Sequence, residues 1–123
     1  KLVRKIKIGS QAHNLYVTNE NEIFVCDSNG SGNVISEKGN DFKVGVGYVR
    51  GLAASMEYLF VGSSNKAERE ERQNGDCAIY VFDRLTRELK DKLKIPKAGN
   101  IYDIRILDQP DYCHHKQIFN QEE

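Results

Sequence analysis

The stretch His13-Asn14-Leu15-Tyr16-Val17, followed by Glu22-Ile23-Phe24-Val25-Cys26-Asp27-Ser28, is answered further along by Arg50-Gly51-Leu52-Ala53-Ala54 and Tyr58-Leu59-Phe60-Val61-Gly62-Ser63-Ser64. Tyr58 stands 36 positions after Glu22, so one sheet-building unit recurs at a fixed interval. In each copy two short segments rich in β-branched and aromatic residues predict strands, Leu15 to Thr18 with Glu22 to Cys26, then Arg50 to Ser55 with Tyr58 to Gly62. Asn19-Glu20-Asn21 and Ser55-Met56-Glu57 supply the turns between them. A third strand follows in each copy, Asn33 to Ser36 or Cys77 to Asp83. After the turns Glu37-Lys38-Gly39-Asn40 and Arg84-Leu85-Thr86-Arg87 comes a fourth, polar-faced strand, Phe42 to Val46 or Glu88 to Ile95.

Outward from the repeat, Leu2 to Ile8 reads as the outer strand of a preceding unit. Ile101-Tyr102-Asp103-Ile104-Arg105-Ile106-Leu107 opens a third copy, with Asp103 at the position of Asn14 and Gly51. Helical periodicity is nearly absent, so the chain is all-β. Alternation puts Lys on one face of Val3 to Ile8 and of Leu89 to Ile95, as in half-exposed strands that discourage edge pairing. Ile23 to Cys26, Leu59 to Val61 and Ala78 to Phe82 are continuous apolar runs and belong to inner strands.

Four antiparallel strands per unit of about 40 residues are the pattern of propeller blades. The expected fold is therefore a partial β-propeller of about two four-stranded blades plus flanking strands. Residues 1–108 form the blades, with units at 10–47 and 48–96 and further strands at 1–9 and 100–108; residues 109–123 form a C-terminal tail. A two-sheet sandwich would use the same strands but leave the repeat unexplained. Because a propeller typically closes with four to eight blades, the remaining blades must come from sequence beyond Lys1 to Glu123 or from other copies of the chain. Three copies of two blades each would close a six-bladed ring.

Composition narrows the function classes. The 123 residues carry 18 Lys and Arg against 18 Asp and Glu, for a formal net charge of zero, so no global field recruits nucleic acid or an anionic membrane. No apolar run approaches the roughly 20 residues of a membrane span, and no signal peptide is present. Three cysteines without Cys-x-x-Cys spacing, Cys26, Cys77 and Cys113, fit reduced thiols and a cytoplasmic location. Cys26 and Cys77, in apolar strands, read as core. No phosphate loop, nucleophile elbow or His-Glu-x-x-His is present.

The runs Val49 to Ala53, Tyr58 to Ser64, Cys77 to Asp83 and Ile101 to Ile104 resemble an uncharacterised family of bacterial β-propeller proteins, over roughly residues 10 to 108. A polar pair before Leu, with Phe-Val-Cys-Asp-Ser closing the next strand, is similar to the six-bladed gluconolactonase and strictosidine-synthase-like propellers. In a propeller the first strand of each blade lines the central channel. His13 and Asn14, Arg50 and Gly51, and Tyr102 and Asp103 then converge at its mouth, where they bind a small polar ligand or a partner. Arg50 is the anion-binding candidate, its fork suited to carboxylate or phosphate, with an ion pair to Asp27 or Asp103 as its structural role.

The gluconolactonase resemblance implies a divalent cation such as calcium on Asn14 and Asp103, with His13 as catalytic acid or base of a hydrolase or lactonase. Gly51 departs from that pattern by offering no side chain, and Asn14 and Asp103 have an alternative role in bonding backbone amides at strand starts. Whether the protein is an enzyme stays open. His114 and His115 read as solvated tail. The charged insertion at 65–75 reads as a solvated loop, with a lid or a protein-interaction contact as its functional alternatives.

Overall fold

A computed structural model describes residues 2, 5–18, 20–45, 47–65 and 74–114 of the chain. Among these residues seven strands follow one another: β1 (Ala12–Val17), β2 (Ile23–Asp27), β3 (Val34–Ser36), β4 (Tyr48–Ala54), β5 (Tyr58–Ser64), β6 (Cys77–Asp83) and β7 (Leu89–Ile95). They form two antiparallel sheets, each laid out in chain order: β1-β2-β3 and β4-β5-β6-β7. The protein is all-β, and among the described residues no helix is long and apolar enough to cross a membrane.

Register divides each sheet into two faces. In the first sheet Leu15 pairs with Val25, Val17 with Ile23 and Val25 with Ile35, so these side chains share a front face. Tyr16 pairs with Phe24, Phe24 with Ser36 and Cys26 with Val34 on the rear face. In the second sheet Leu52, Ala54, Leu59, Val61, Tyr80 and Phe82 share the front, while Ala53, Phe60, Gly62, Ile79, Val81 and Leu93 share the rear. The hydrophobic core is the rear of the first sheet against the front of the second: Tyr16, Phe24, Cys26, Val34 and Phe42 meet Leu52, Leu59, Val61, Tyr80 and Phe82. β1 lies against β4, and the rings of Phe24, Phe42 and Phe82 run across the interface in edge contacts of 5.2 and 5.5 Å. The β6–β7 turn clamps this interface. Arg84 lies over the rings of Tyr16 and Tyr112 and donates to Tyr16 Oη at 2.5 Å and to Ser55 O at 2.6 Å. Arg87 lies over Phe24 and Phe42 and pairs with Glu22 at 3.4 Å.

The two sheets share one irregularity in their first strand pair. Pairing of β1 with β2 slips between His13 and Leu15, and pairing of β4 with β5 slips between Val49 and Leu52. Asn14 and Gly51 sit in these slips with positive φ of 56° and 89°, a left-handed conformation that Asn and Gly adopt more cheaply than other residues. The bulges explain why β1 begins at Ala12 and β4 at Tyr48, earlier than the apolar pattern predicts.

Four expectations need correction. The fourth strand at Phe42 to Val46 reduces to one bridge, Phe42 with Val34, because Gly45 and Gly47 turn to positive φ; Val46 lies outside the described residues. Of the strand expected at Leu2 to Ile8, Val3 and Arg4 lie outside the described residues; residues 5–8 and Ile101 to Leu107 form no strand, since a strand needs a ladder partner and neither run has one among the described residues. The chain beyond 108 is not all solvated tail: Asp111 is fully buried, and the Tyr112 amide donates to Ala54 O at 2.8 Å. His114, expected in solvent, is bonded to Asp111 at 2.8 Å. His115 and residues 66–73 of the insertion lie outside the described residues.

Two buried carboxylates fasten the flanking segments to the sheets. Asp27 accepts from the Ser10 and Ser31 amides, each at 2.7 Å, and from Ser31 Oγ. Asp111 accepts from the amides of Ala54, Ile106 and Cys113 as well as from His114. Burial pushes both carboxyls up, but these hydrogen bonds outweigh it and hold both below the ordinary carboxylate value. The cysteines are free thiols; burial pushes the Cys26 thiol up to about 12, which makes it an inert core group.

Candidate functional site

The bulged starts of β1 and β4 place His13 and Arg50 side by side, and the chain at Asn100 to Tyr102 closes over them. Ile101 is fixed there by its amide, which donates to Ser64 Oγ at 2.9 Å. A pocket of about 150 Å³ results, lined by His13, Arg50 and Tyr102 together with Gln11, Asn29 and Asn100 and the serines Ser28 and Ser64. Of the residues expected to bind a ligand, His13, Arg50 and Tyr102 thus meet.

Inside the pocket Arg50 Nη2 lies 3.0 Å from His13 Nε2. A guanidinium can only donate, so Nε2 accepts and the imidazole proton sits on Nδ1. Burial, and then the charge of Arg50, lower the His13 pKa and favour the neutral ring. The other face of the guanidinium lies over the Tyr102 ring at 5.5 Å. Neither expected acidic partner reaches it. Asp27 is committed to Ser10 and Ser31, and Asp103 pairs with Arg105 at 3.2 Å and with His114 at 3.5 Å. Among the described residues no carboxylate pairs with Arg50, so its charge is held by a neutral imidazole and an aromatic ring.

Asn14 and Asp103 adjoin the pocket but serve the backbone. Asn14 Oδ1 accepts from the Gly51 amide at 2.8 Å, tying the first bulge to the second. Asp103 Oδ1 accepts from the Ile104 amide at 3.0 Å. Both residues meet Gly51, where a Cβ would come within 3.2 Å of the Asp103 carbonyl carbon and of the Ile104 amide. These residues do not fit the divalent cation that the gluconolactonase resemblance implies. The Asn14 oxygen is already engaged, and among the described residues no group of three His, Cys, Asp or Glu side chains could hold a metal ion. His13 Nε2, the atom a general base would use, is engaged by Arg50.

Gln11, Asn29, Asn100 and the two serines were not anticipated. Ser28 and Ser64 carry a signal, since they stand 36 positions apart, one just after β2 and one at the end of β5, and both are buried. No protein-family model matches this chain, and no curated protein or solved structure matches it either.

Proposed function

We propose that this chain is part of a β-propeller-like repeat scaffold that binds a small anionic ligand in the pocket between its two sheets. The observation that carries the reading is Arg50: a guanidinium with no carboxylate partner among the described residues, at the wall of a pocket whose other polar side chains are the His13 imidazole, carboxamides and hydroxyls. Carboxylate or phosphate oxygens match the fork bidentately, while Gln11, Asn29 and Asn100 offer neutral donors around it. The propeller-like part of the reading is supported by the meander order of both sheets, the repeated bulge and the front-to-rear stacking.

Isothermal titration with inorganic phosphate and with malonate tests the ligand class. At least one anion should bind the wild-type chain, and Arg50→Ala should weaken it about 10- to 100-fold, the value of a charge-assisted hydrogen-bond pair. Arg50→Lys keeps the charge but not the fork and should fall between them. Equal binding by wild type and Arg50→Ala, or no binding of either anion, would remove this reading.

A further inference from the structure

The turn that follows β2 carries reactive chemistry of its own. Asp27 to Gly32 fold around the Asp27 carboxylate, which accepts from the amides of Ser10 and Ser31, while Asp27 O accepts from the Gly32 amide at 3.1 Å and from the Gly30 amide at 3.3 Å. A Cβ at position 30 would come within 2.3 and 2.4 Å of the two Asp27 carboxylate oxygens. Those oxygens are committed, so the residue that follows Asn29 is held to glycine, and no side chain shields its amide nitrogen. Asparagine is a thermolabile residue, and a following glycine, which leaves the backbone nitrogen open to approach the carboxamide carbon, makes it most so. Asn29 is exposed, and among the described residues its side chain makes none of the hydrogen bonds that hold the turn. It lines the same pocket as Arg50.

We infer that Asn29 is a site of self-modification whose product closes the Arg50 pocket to anions. The Gly30 nitrogen attacks Asn29 Cγ, and the new N–Cγ bond completes a five-membered succinimide. The Cγ–Nδ2 bond breaks, and that nitrogen leaves as ammonia with the proton given up by the Gly30 amide. One water then opens the ring, its hydroxyl going to Cγ or to the main-chain carbonyl carbon of residue 29 and its proton to the Gly30 nitrogen. The products are aspartate or isoaspartate at position 29; one water is consumed and one ammonia released, with no oxidant or reductant. Either product puts a carboxylate, ionised at neutral pH, into a pocket whose guanidinium has no carboxylate partner among the described residues. Arg50 then gains an internal partner that competes with an incoming anion and repels it. The closing of the pocket rests on the anion-binding reading; the modification itself does not.

Incubating the purified chain in warm, mildly alkaline buffer, with peptide mapping by mass spectrometry over days, tests the modification. Peptides holding Asn29 should turn from amide to acid, with isoaspartate among the products, faster than those holding Asn21, Asn33 or Asn100, which glycine does not follow. Asn74, also followed by glycine, does not line the pocket and is the internal reference for the chemistry. Phosphate affinity, titrated on samples of increasing age, should fall in step with the acid at position 29 and not with that at position 74. Asn29→Asp should weaken phosphate about 10-fold from the start, and in it the His13 ring should titrate at higher pH than in wild type, read by proton NMR without any anion. Asn29→Gln, which would have to close a slower six-membered ring, should show no change with age, whatever its affinity when fresh. Circular dichroism checks the fold of both variants. An Asn29 peptide that stays amide, a converted chain that binds phosphate as the fresh one does, or an unmoved His13 titration in Asn29→Asp would each overturn the inference. A fresh wild type that binds neither phosphate nor malonate would remove the pocket reading, and the Asn29 peptide with the His13 titration would still decide the modification and its contact with Arg50.

Discussion

Phe24 and Phe60 stand 36 positions apart, in the second strand of the first sheet (β2) and of the second sheet (β5), and both point to the rear of their sheets. Phe24 is fully buried, stacked on Tyr16 and edge-on to Phe42, because a second sheet lies on it. Phe60 is half-buried, with Tyr58 as its aromatic neighbour; among the described residues no sheet lies on that side, and Ile101 lies beside Gly62. Burial here is set less by residue type or strand position than by whether a second sheet packs on that face. Truncation should expose the difference. Phe24→Ala should cost about 3–5 kcal/mol through lost transfer energy and a cavity, and Phe60→Ala about 1–2 kcal/mol, both measured by urea denaturation of the dilute chain. Equal costs would mean that the rear of the second sheet is already covered. A Phe60→Ala cost that grows with protein concentration would place Phe60 in an interface between copies.

The next pair reverses the demand for volume. Cys26 fills the core at its place in β2, while Gly62, 36 positions on, has no room for a side chain. A Cβ there would come within 2.3 Å of Arg50 O and 2.6 Å of Ile101 Cγ2. Gly62→Ala should therefore destabilise by about 1–3 kcal/mol through overpacking, and it should also disturb anion binding, since both contacts lie in residues that line the pocket. Cys26→Ala should cost about 1 kcal/mol and leave binding untouched. Thermal melts and phosphate titration of the two variants make the comparison; intact binding in Gly62→Ala would show that the pocket tolerates movement of the β4 bulge.

How far these features can be read in the sequence depends on the range of the interactions behind them. The apolar runs of β2, β5 and β6 are local, and their spacing marks both the strands and the repeat. The bulge at Asn14 is half-legible: Asn suits a left-handed residue, but the resumption of pairing upstream at Ala12 and His13 depends on β2. Asp111 was not legible, because Gln109-Pro110-Asp111 has the composition of a loop and the amide that fixes it belongs to Ala54, 57 positions earlier. Ile101 to Leu107 has the pattern of a strand without the ladder that makes one. Arg50 was recognised as a cation near His13, but its pairing with a neutral imidazole rather than a carboxylate arises from where Asp27 and Asp103 are already committed.

The smallest expected effect lies at the meeting of the two bulges, where His13 of β1 faces Arg50 of β4, with Tyr102 on the far side of the guanidinium. Burial and the Arg50 charge lower the His13 pKa from its ordinary 6.5. Between the lowered value and 6.5 the unfolded chain binds a proton that the folded chain does not, so folding loses stability as pH falls through that window. The contribution is complete above about pH 6.5 and fades below it. Wild type minus His13→Gln in melting temperature should therefore be constant from about pH 8 to 6.5 and shift against the wild type below that. An anion held by Arg50 would favour the protonated ring and bind with proton uptake, so phosphate or malonate should stabilise both proteins but reduce the loss at low pH in wild type alone. A difference that stays flat across this range would separate His13 from Arg50 and from the pocket.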